Sequence, residues 1–208
     1  GRGLRWRWQV DVPRPRRGDR PPYDLDDIVD IAMRVFLERG YDGTSMEDLA
    51  RAAGISKSSF YYHVSGKEEL LEHGVNRALD ALFGVLDEPA ALEGRPVERL
   101  RHILRRMVEI VAERLPEVAL LVRANGNTKT EERALERRRE FDRAVTRLMR
   151  QAVRDGDVRT TAEPGLATRL MLGMAVSVVS WYRPEGSISA GDLVAAVEDL
   201  ALHGLLTA

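Results

Sequence analysis

From Asp24 onward the apolar residues return every three or four positions, almost never every second one, and that spacing restricts the chain to helices. Leu25, Ile28, Ile31, Ala32, Val35 and Phe36 share one helical face before Gly40, a residue type that ends helices. A second helix starts at Thr44 or Ser45, either of which suits an N-cap, with Glu47 and Asp48 placed for a capping box. Its inner face is Met46, Leu49, Ala50 and Ala53, and Gly54 closes it. A short helix over 56 to about 63 follows, then a longer one from near Gly66 that turns Leu71, Val75, Leu79, Leu82 and Leu86 inward before Pro89. Five more are predicted at 97–115, 117–124, 130–155, 164–182 and 191–206. The helix at 130–155 should bury Phe141, Val145, Leu148 and Ala152 and pair charges on its outer face, as in Glu136–Arg139 and Arg138–Asp142. The expectation is an all-α protein of about nine helices.

Composition narrows the function. The chain has 208 residues, 44% of them apolar, enough for a core and for a small domain joined to a larger one. A net charge of −1 means that any nucleic-acid binding must come from a local patch. The absence of cysteine removes disulfides, cysteine-ligated zinc and thiol nucleophiles. The four histidines, His63, His73, His102 and His203, fall in no HExxH spacing, and no G-x-S-x-G or phosphate-cradling loop occurs. No catalytic residue, metal or cofactor is therefore expected. No apolar run is long enough for a membrane span, and the start, GRGLRWRWQ, lacks a secretory h-region. A cytoplasmic protein is expected. Residues 1–23 carry seven arginines, four prolines and two aspartates. They read either as a plain disordered tail or as a flexible basic arm that lies along DNA.

The segment Met46 to His63, MEDLARAAGISKSSFYYH, holds the strongest functional signal. Ala50 is small where two helices cross, Gly54 tolerates the positive φ of a tight turn, and Leu49, Ala53, Ile55 and Phe60 lock one helix on the other. The Ala–x3–Gly–x5–Phe spacing is that of a helix-turn-helix, although a plain helical hairpin also satisfies it. The outward side chains favour the former: Ser56, Lys57, Ser58, Tyr61, Tyr62 and His63 include no acid. Small serines let a backbone approach a major groove. Lys57 reaches a guanine edge or a phosphate, and Tyr61 offers its ring to a thymine methyl or its hydroxyl to a phosphate. Lys67, at the start of the next helix, sits where phosphate is favoured. Asp24, Asp26, Asp27, Asp30, Glu47 and Asp48 count against DNA unless they face away.

From Leu25 to about Leu71 the sequence resembles the TetR family, in the run RGYDGTSMEDLARAAGISKSSFYYHVSGKEELL. One departure is Val64, where the family usually carries phenylalanine. The resemblance implies three parts: the arm at 1–23, a three-helix DNA-binding domain at 24–70, and a helical ligand-binding and dimerisation domain at 71–208. It also implies that Ser45, Lys57, Ser58, Tyr61, Tyr62, His63 and Lys67 touch double-stranded operator DNA. Repression relieved by a small effector is the default mechanism it suggests. A DNA-binding protein that positions a partner without small-molecule gating is the alternative.

The last two helices interleave Gly173, Ala175, Ser177, Ser180, Ala195, Ala196 and Ala201 with Leu172, Met174, Val178, Leu193, Val197 and Leu200. Such helices pair closely, as the four-helix interface of a homodimer or as a buried hairpin within one chain. Leu79, Phe83, Met107, Val111, Leu121, Met171, Met174 and Trp181 are candidate effector contacts, with plain core packing as the competing reading. The stretches SVVSWYRPEGSIS, LVRANGNT and ERRREFDR resemble regulators of lipid, sterol or branched-acid catabolism, several of which respond to acyl-CoA. That likeness makes Arg123, Arg137 or Arg183 candidate holders of the effector's phosphates.

Overall fold

A computed structural model describes residues 23–159 and 161–204, so all of the basic segment 1–23 except Tyr23 lies outside the described residues. Among those residues the chain is all-helical, with ten α-helices and one 3-10 turn. They are α1 (Leu25–Arg39), α2 (Met46–Ala53), α3 (Lys57–His63), α4 (Lys67–Leu86), α5 (Pro89–Leu92), α6 (Pro96–Glu113), α7 (Leu115–Arg123), α8 (Lys129–Arg154), α9 (Pro164–Ser177) and α10 (Ala190–Leu202), with the turn at Val178–Ser180. They fall into two compact units, which divide between Gly74 and Val75.

In the first unit, α1 starts with a reciprocal cap. The Asp27 N–H donates to the Asp24 carboxylate at 2.8 Å, and the Asp24 N–H donates to Asp27 at 3.3 Å. The buried face is shifted from the six-residue stripe: Val29 and Met33 join Ile28, Ala32, Val35 and Phe36 in burial, while Leu25 and Ile31 are only half-buried. Thr44 does not cap α2. It is buried, and its hydroxyl donates to the Gly40 carbonyl at 2.7 Å. Ser45 is the cap, receiving the Asp48 N–H at 3.1 Å. Where α4 passes α1, a side chain at Gly74 would run into the buried thioether of Met33. Glycine is therefore what lets the two helices come this close.

The second unit is built around α6, which packs against α5, α7, α8, α9 and α10. Its inner face is Leu100, Ile103, Leu104, Met107, Val108, Ile110 and Val111, all buried. Glu198 on α10 receives Arg101 and Arg105 of α6, each at 3.2 Å. Glu88, which precedes α5, receives Arg106 at 3.0 Å and lies 2.5 Å from the His102 ring nitrogen. On α8, Phe141, Val145, Leu148 and Ala152 are buried as the periodicity requires.

Several boundaries differ from the sequence expectation. The predicted spans stop one helix before Pro89 and another, 97–115, just before Pro116. Both instead stand in the first turn of a helix, α5 and α7, where a missing N–H costs nothing. That accounts for the tenth helix. The run over 164–182 is broken because α9 tightens into the 3-10 turn after Ser177. Gly204, at φ 79°, follows the end of α10, short of the expected 206. The Glu136–Arg139 pair forms on the outer face of α8 at 3.5 Å. Arg138 and Asp142 are not an outer-face pair: both are half-buried, at the edge of the core.

Two glycines of α4 give opposite expectations. Gly74→Ala should lower unfolding free energy by about 1–3 kcal/mol through overpacking against Met33. Gly84→Ala, exposed and with open space around the added methyl, should raise it by up to about 1 kcal/mol. Urea unfolding with an unchanged m-value measures both.

Candidate nucleic-acid interface and effector cavity

The short helix α3 is presented by the turn that precedes it. Gly54 lies in the left-handed region at φ 68°, and its N–H returns to the carbonyl of Arg51 at 3.1 Å while the Ile55 N–H returns to Ala50. The chain then leaves in extended form to Ser56, whose hydroxyl oxygen accepts the Ser59 N–H at 3.1 Å and opens α3. Phe60 is completely buried beneath the helix. Val64, just past its end, is 3% exposed, so valine serves as the anchor at that position.

With Phe60 inward, helical geometry turns Ser58 and Tyr62 to the opposite side, with Lys57 and Tyr61 one turn apart along a single flank. All four are exposed, Tyr62 to 88%. The Tyr62 and His63 rings meet edge to face at 5.5 Å, and His63 is half-buried. α3 has no acid in its first turn. Four of the expected contacts thus form one outward polar and aromatic face.

The other four have work inside the fold. The hydroxyls of Ser45 and Ser56 are engaged as caps. The His63 ring is half-buried and meets Tyr62 edge to face. Lys67 is turned inward: its ammonium donates to the carbonyls of Tyr41 at 2.9 Å and Thr44 at 3.3 Å and lies 4.5 Å from the Tyr41 ring centre. It binds the α1–α2 loop to the start of α4.

The nearby acids are largely accounted for. Asp24 and Asp27 cap α1. Asp48 is bridged by Arg51 at 3.2 Å and Arg39 at 3.4 Å, and Ser45's hydroxyl and backbone N–H hold its carboxyl below the usual range. Glu47 lies 3.7 Å from Arg51.

In the second unit a cavity of about 270 Å³ lies among α4, α6, α7, α8 and α9. Leu79, Met107, Val111 and Leu121 line it as expected, together with Leu82, Val118, Phe141, Leu172 and Val176. Its polar edge is Arg138, Asp142 and Arg169, and burial pushes the Asp142 carboxyl upward against the pull of the two arginines. Periodicity marked Phe141 as core, but nothing marked this polar edge, because an i,i+4 ion pair reads as surface.

The remaining candidates lie elsewhere. Phe83 stands behind the cavity wall, edge to face with Phe141 at 5.8 Å. Met171 and Met174 line a different cavity of about 480 Å³, with Leu100, Met149 and Leu200. Trp181 is half-exposed and Arg123 is exposed, and neither lines the 270 Å³ cavity. Arg137 is bound to Asp80 at 2.7 Å and Asn76 at 3.2 Å, and Arg183 to the Tyr182 carbonyl at 2.9 Å.

Residues 28–73 match the family described as bacterial regulatory proteins, tetR family, and residues 93–205 match the tetracyclin repressor-like, C-terminal domain. A crystal structure of a TetR transcriptional regulator family member from Streptomyces coelicolor A3 superposes with a TM-score of 0.81 at 55% identity, covering 86% of this chain and 91% of that one. The HTH-type transcriptional repressor KstR2 of Rhodococcus jostii is 30% identical over 184 residues, 86% of this chain and 89% of that protein. The crystal structure of AibR in complex with isovaleryl coenzyme A and operator DNA has a TM-score of 0.72 at 26% identity, covering 86% of this chain and 97% of that one.

The two lysines near α3 should separate by their effect on stability. Lys67→Met should cost about 1–3 kcal/mol, since two carbonyls lose a charged donor. Lys57→Met, at an exposed position, should stay within about 0.5 kcal/mol of the parent. Chemical denaturation distinguishes them.

Proposed function

Because the chain belongs to the TetR family of bacterial regulatory proteins, we propose that it is a homodimeric, ligand-responsive transcriptional repressor rather than an enzyme. It inserts α3 into the major groove of a near-palindromic operator and leaves when a small effector fills the cavity among α4, α6, α7, α8 and α9. The observation that carries this reading is the outward face Lys57, Ser58, Tyr61 and Tyr62, opposed to fully buried Phe60 on a helix capped at its start.

Each residue has a role in that reading. Ser58 leaves room for the backbone to approach base edges. Lys57 pairs with a guanine edge or a phosphate, and the tyrosines reach a thymine methyl and the backbone. Ser45, Ser56 and Lys67 hold the helix in place, and His63 steadies Tyr62. The cavity favours a gated regulator over a DNA-binding protein without small-molecule control.

Dimerisation is supported by an apolar stripe that one chain leaves uncovered. Leu166, Leu170, Gly173 and Ser177 follow one another along α9 and are all exposed. Trp181 and Leu200 are exposed as well. Leu172, Ala175, Val178, Leu193 and Val197 are buried within the chain, as the intramolecular alternative expects of them, and are not part of this surface. Contiguous apolar surface of this kind marks a protein interface. Two copies would offer two α3 helices to major grooves one turn apart, about 34–36 Å. An effector that favours a different spacing needs a coupling of only about 1–3 kcal/mol to release the DNA. No helix of the described residues is long and apolar enough to cross a membrane.

Two measurements test this reading. Tyr61→Ala with Lys57→Ala should weaken binding to a duplex carrying its own promoter by about 1–3 kcal/mol in an electrophoretic shift titration, with an unchanged helical circular dichroism spectrum. Retained affinity would remove α3 as the reading element. Leu170→Glu should convert a dimer to a monomer in sedimentation velocity, and a dimer that persists would move the interface elsewhere.

A further inference from the structure

We infer that the apolar chamber takes up a medium-chain monocarboxylate together with one proton, and that Asp142 is the residue that holds this proton. Naming the ligand an effector rests on the regulator reading above; the binding and its proton do not.

Asp142 stands half-buried at the edge of the 270 Å³ cavity, on α8. No hydrogen bond or ion pair joins its carboxyl to any other described residue, and Arg138 and Arg169 act on it through their charge alone. Arg138, one turn back on α8, donates to the Leu121 carbonyl at 3.5 Å, and Arg169 comes from α9. The side chains that α4, α6 and α7 bring to the chamber are all apolar, Leu79, Met107 and Leu121 among them. On its other side Asp142 borders a groove lined by Arg139, Arg143, Arg147 and Arg150, in which Glu163 lies 3.4 Å from Arg150. No histidine lines either cavity. Apolar walls outweigh the cations around Asp142, since burial raises its carboxyl above the ordinary range.

Two guanidinium groups at the mouth of an apolar hollow are a donor set for a carboxylate, which each can bind through paired N–H groups. A primary amine would meet two like charges there. An alcohol or an amide would leave most of those donors unused. At roughly 30 Å³ per water-sized group the chamber holds about nine heavy atoms, the volume of a medium-length alkyl tail.

Asp142 feels both guanidinium charges, so a carboxylate bound to them comes beside it. Two carboxyl groups in one poorly solvated site keep a single proton between them, because like charges at contact cannot both stay ionised. The proton comes from solvent. Held on Asp142, it makes that side chain an O–H donor to the ligand's carboxylate. The free carboxyl already titrates above its ordinary value, and the ligand's charge moves it higher. Affinity is therefore greatest below the free-state midpoint and falls as pH rises to the bound-state midpoint. A neutral ligand of the same shape brings no charge and takes up no proton.

The test is isothermal titration calorimetry of the full chain, without DNA, against octanoate and octanamide. From about pH 5.5 to about pH 7.5 the affinity for octanoate should fall at least about tenfold, and that for octanamide should change by less than about twofold. Repeating the titration in two buffers of different ionisation enthalpy should show close to one proton taken up per octanoate in the middle of that range, and none per octanamide. Asp142→Asn keeps the shape and a hydrogen-bond donor without a titrating group. It should bind octanoate with little dependence on pH, and at about pH 7.5 at least as tightly as the parent. The proton count is read on the unaltered chain, so it stands whether or not the variant folds. Binding of octanoate without proton uptake, an Asp142→Asn chain as pH-sensitive as the parent, or no binding of octanoate overturns the inference. A promoter-duplex titration decides the regulator reading separately. A chain that takes up octanoate with its proton and binds no duplex keeps this site and loses the repressor.

Discussion

The burial of Phe60 decides which side of α3 meets solvent. A seven-residue helix has too few backbone hydrogen bonds to persist in water by itself, so it exists because one aromatic ring is removed from water beneath it. Once that ring is placed, the 100° step of the helix fixes Ser58 and Tyr62 outward and Lys57 and Tyr61 together along one flank. The left-handed Gly54, the Ser56 cap and buried Val64 are the attachments at either end. Lys67 adds to them by using its ammonium on the α1–α2 loop. The outward face of α3 is thus held by attachments internal to the first unit, and the groups that stay exposed on α3 are neutral or cationic.

The second unit follows a different logic. Its central helix, α6, is covered by five other helices, and its apolar face continues along α8 and α9. Packing around one rod does not fill space everywhere. Near Met107, Val111 and Leu172 a chamber remains, and the closing groups on its open side are two arginines and an aspartate rather than another leucine. A half-buried carboxyl between two guanidinium groups is a costly arrangement for a core, and burial does push Asp142 toward its neutral form. Such polar groups at the mouth of an apolar hollow are what a ligand site requires.

Much of this was legible in the residues. The buried face of α8, most of the faces of α1 and α2, the Gly40 and Gly54 stops, the Asp48 capping box and the helix-turn-helix spacing all follow from local rules, and the structure has them. The errors share one cause. Pro89 and Pro116 break a helix when read from the left and begin one when read from the right. Arg138 and Asp142 have the spacing of a surface pair, yet neighbouring helices enclose them. The inward bonds of Lys67 were not legible because its partners, two loop carbonyls, are more than twenty residues away. Trp181 looked like a pocket residue by size alone and is half-exposed.

What the sequence determined by itself is the set of helices, their buried stripes and the outward chemistry of α3, because each depends on residues within a turn or two of one another. Tertiary structure alone decided which apolar residues border empty space rather than one another, and which charges end up beside that space. Hollows and rims are formed by side chains from five helices at once. Their sizes depend on how closely those helices approach, a quantity that no single helix records in its own sequence.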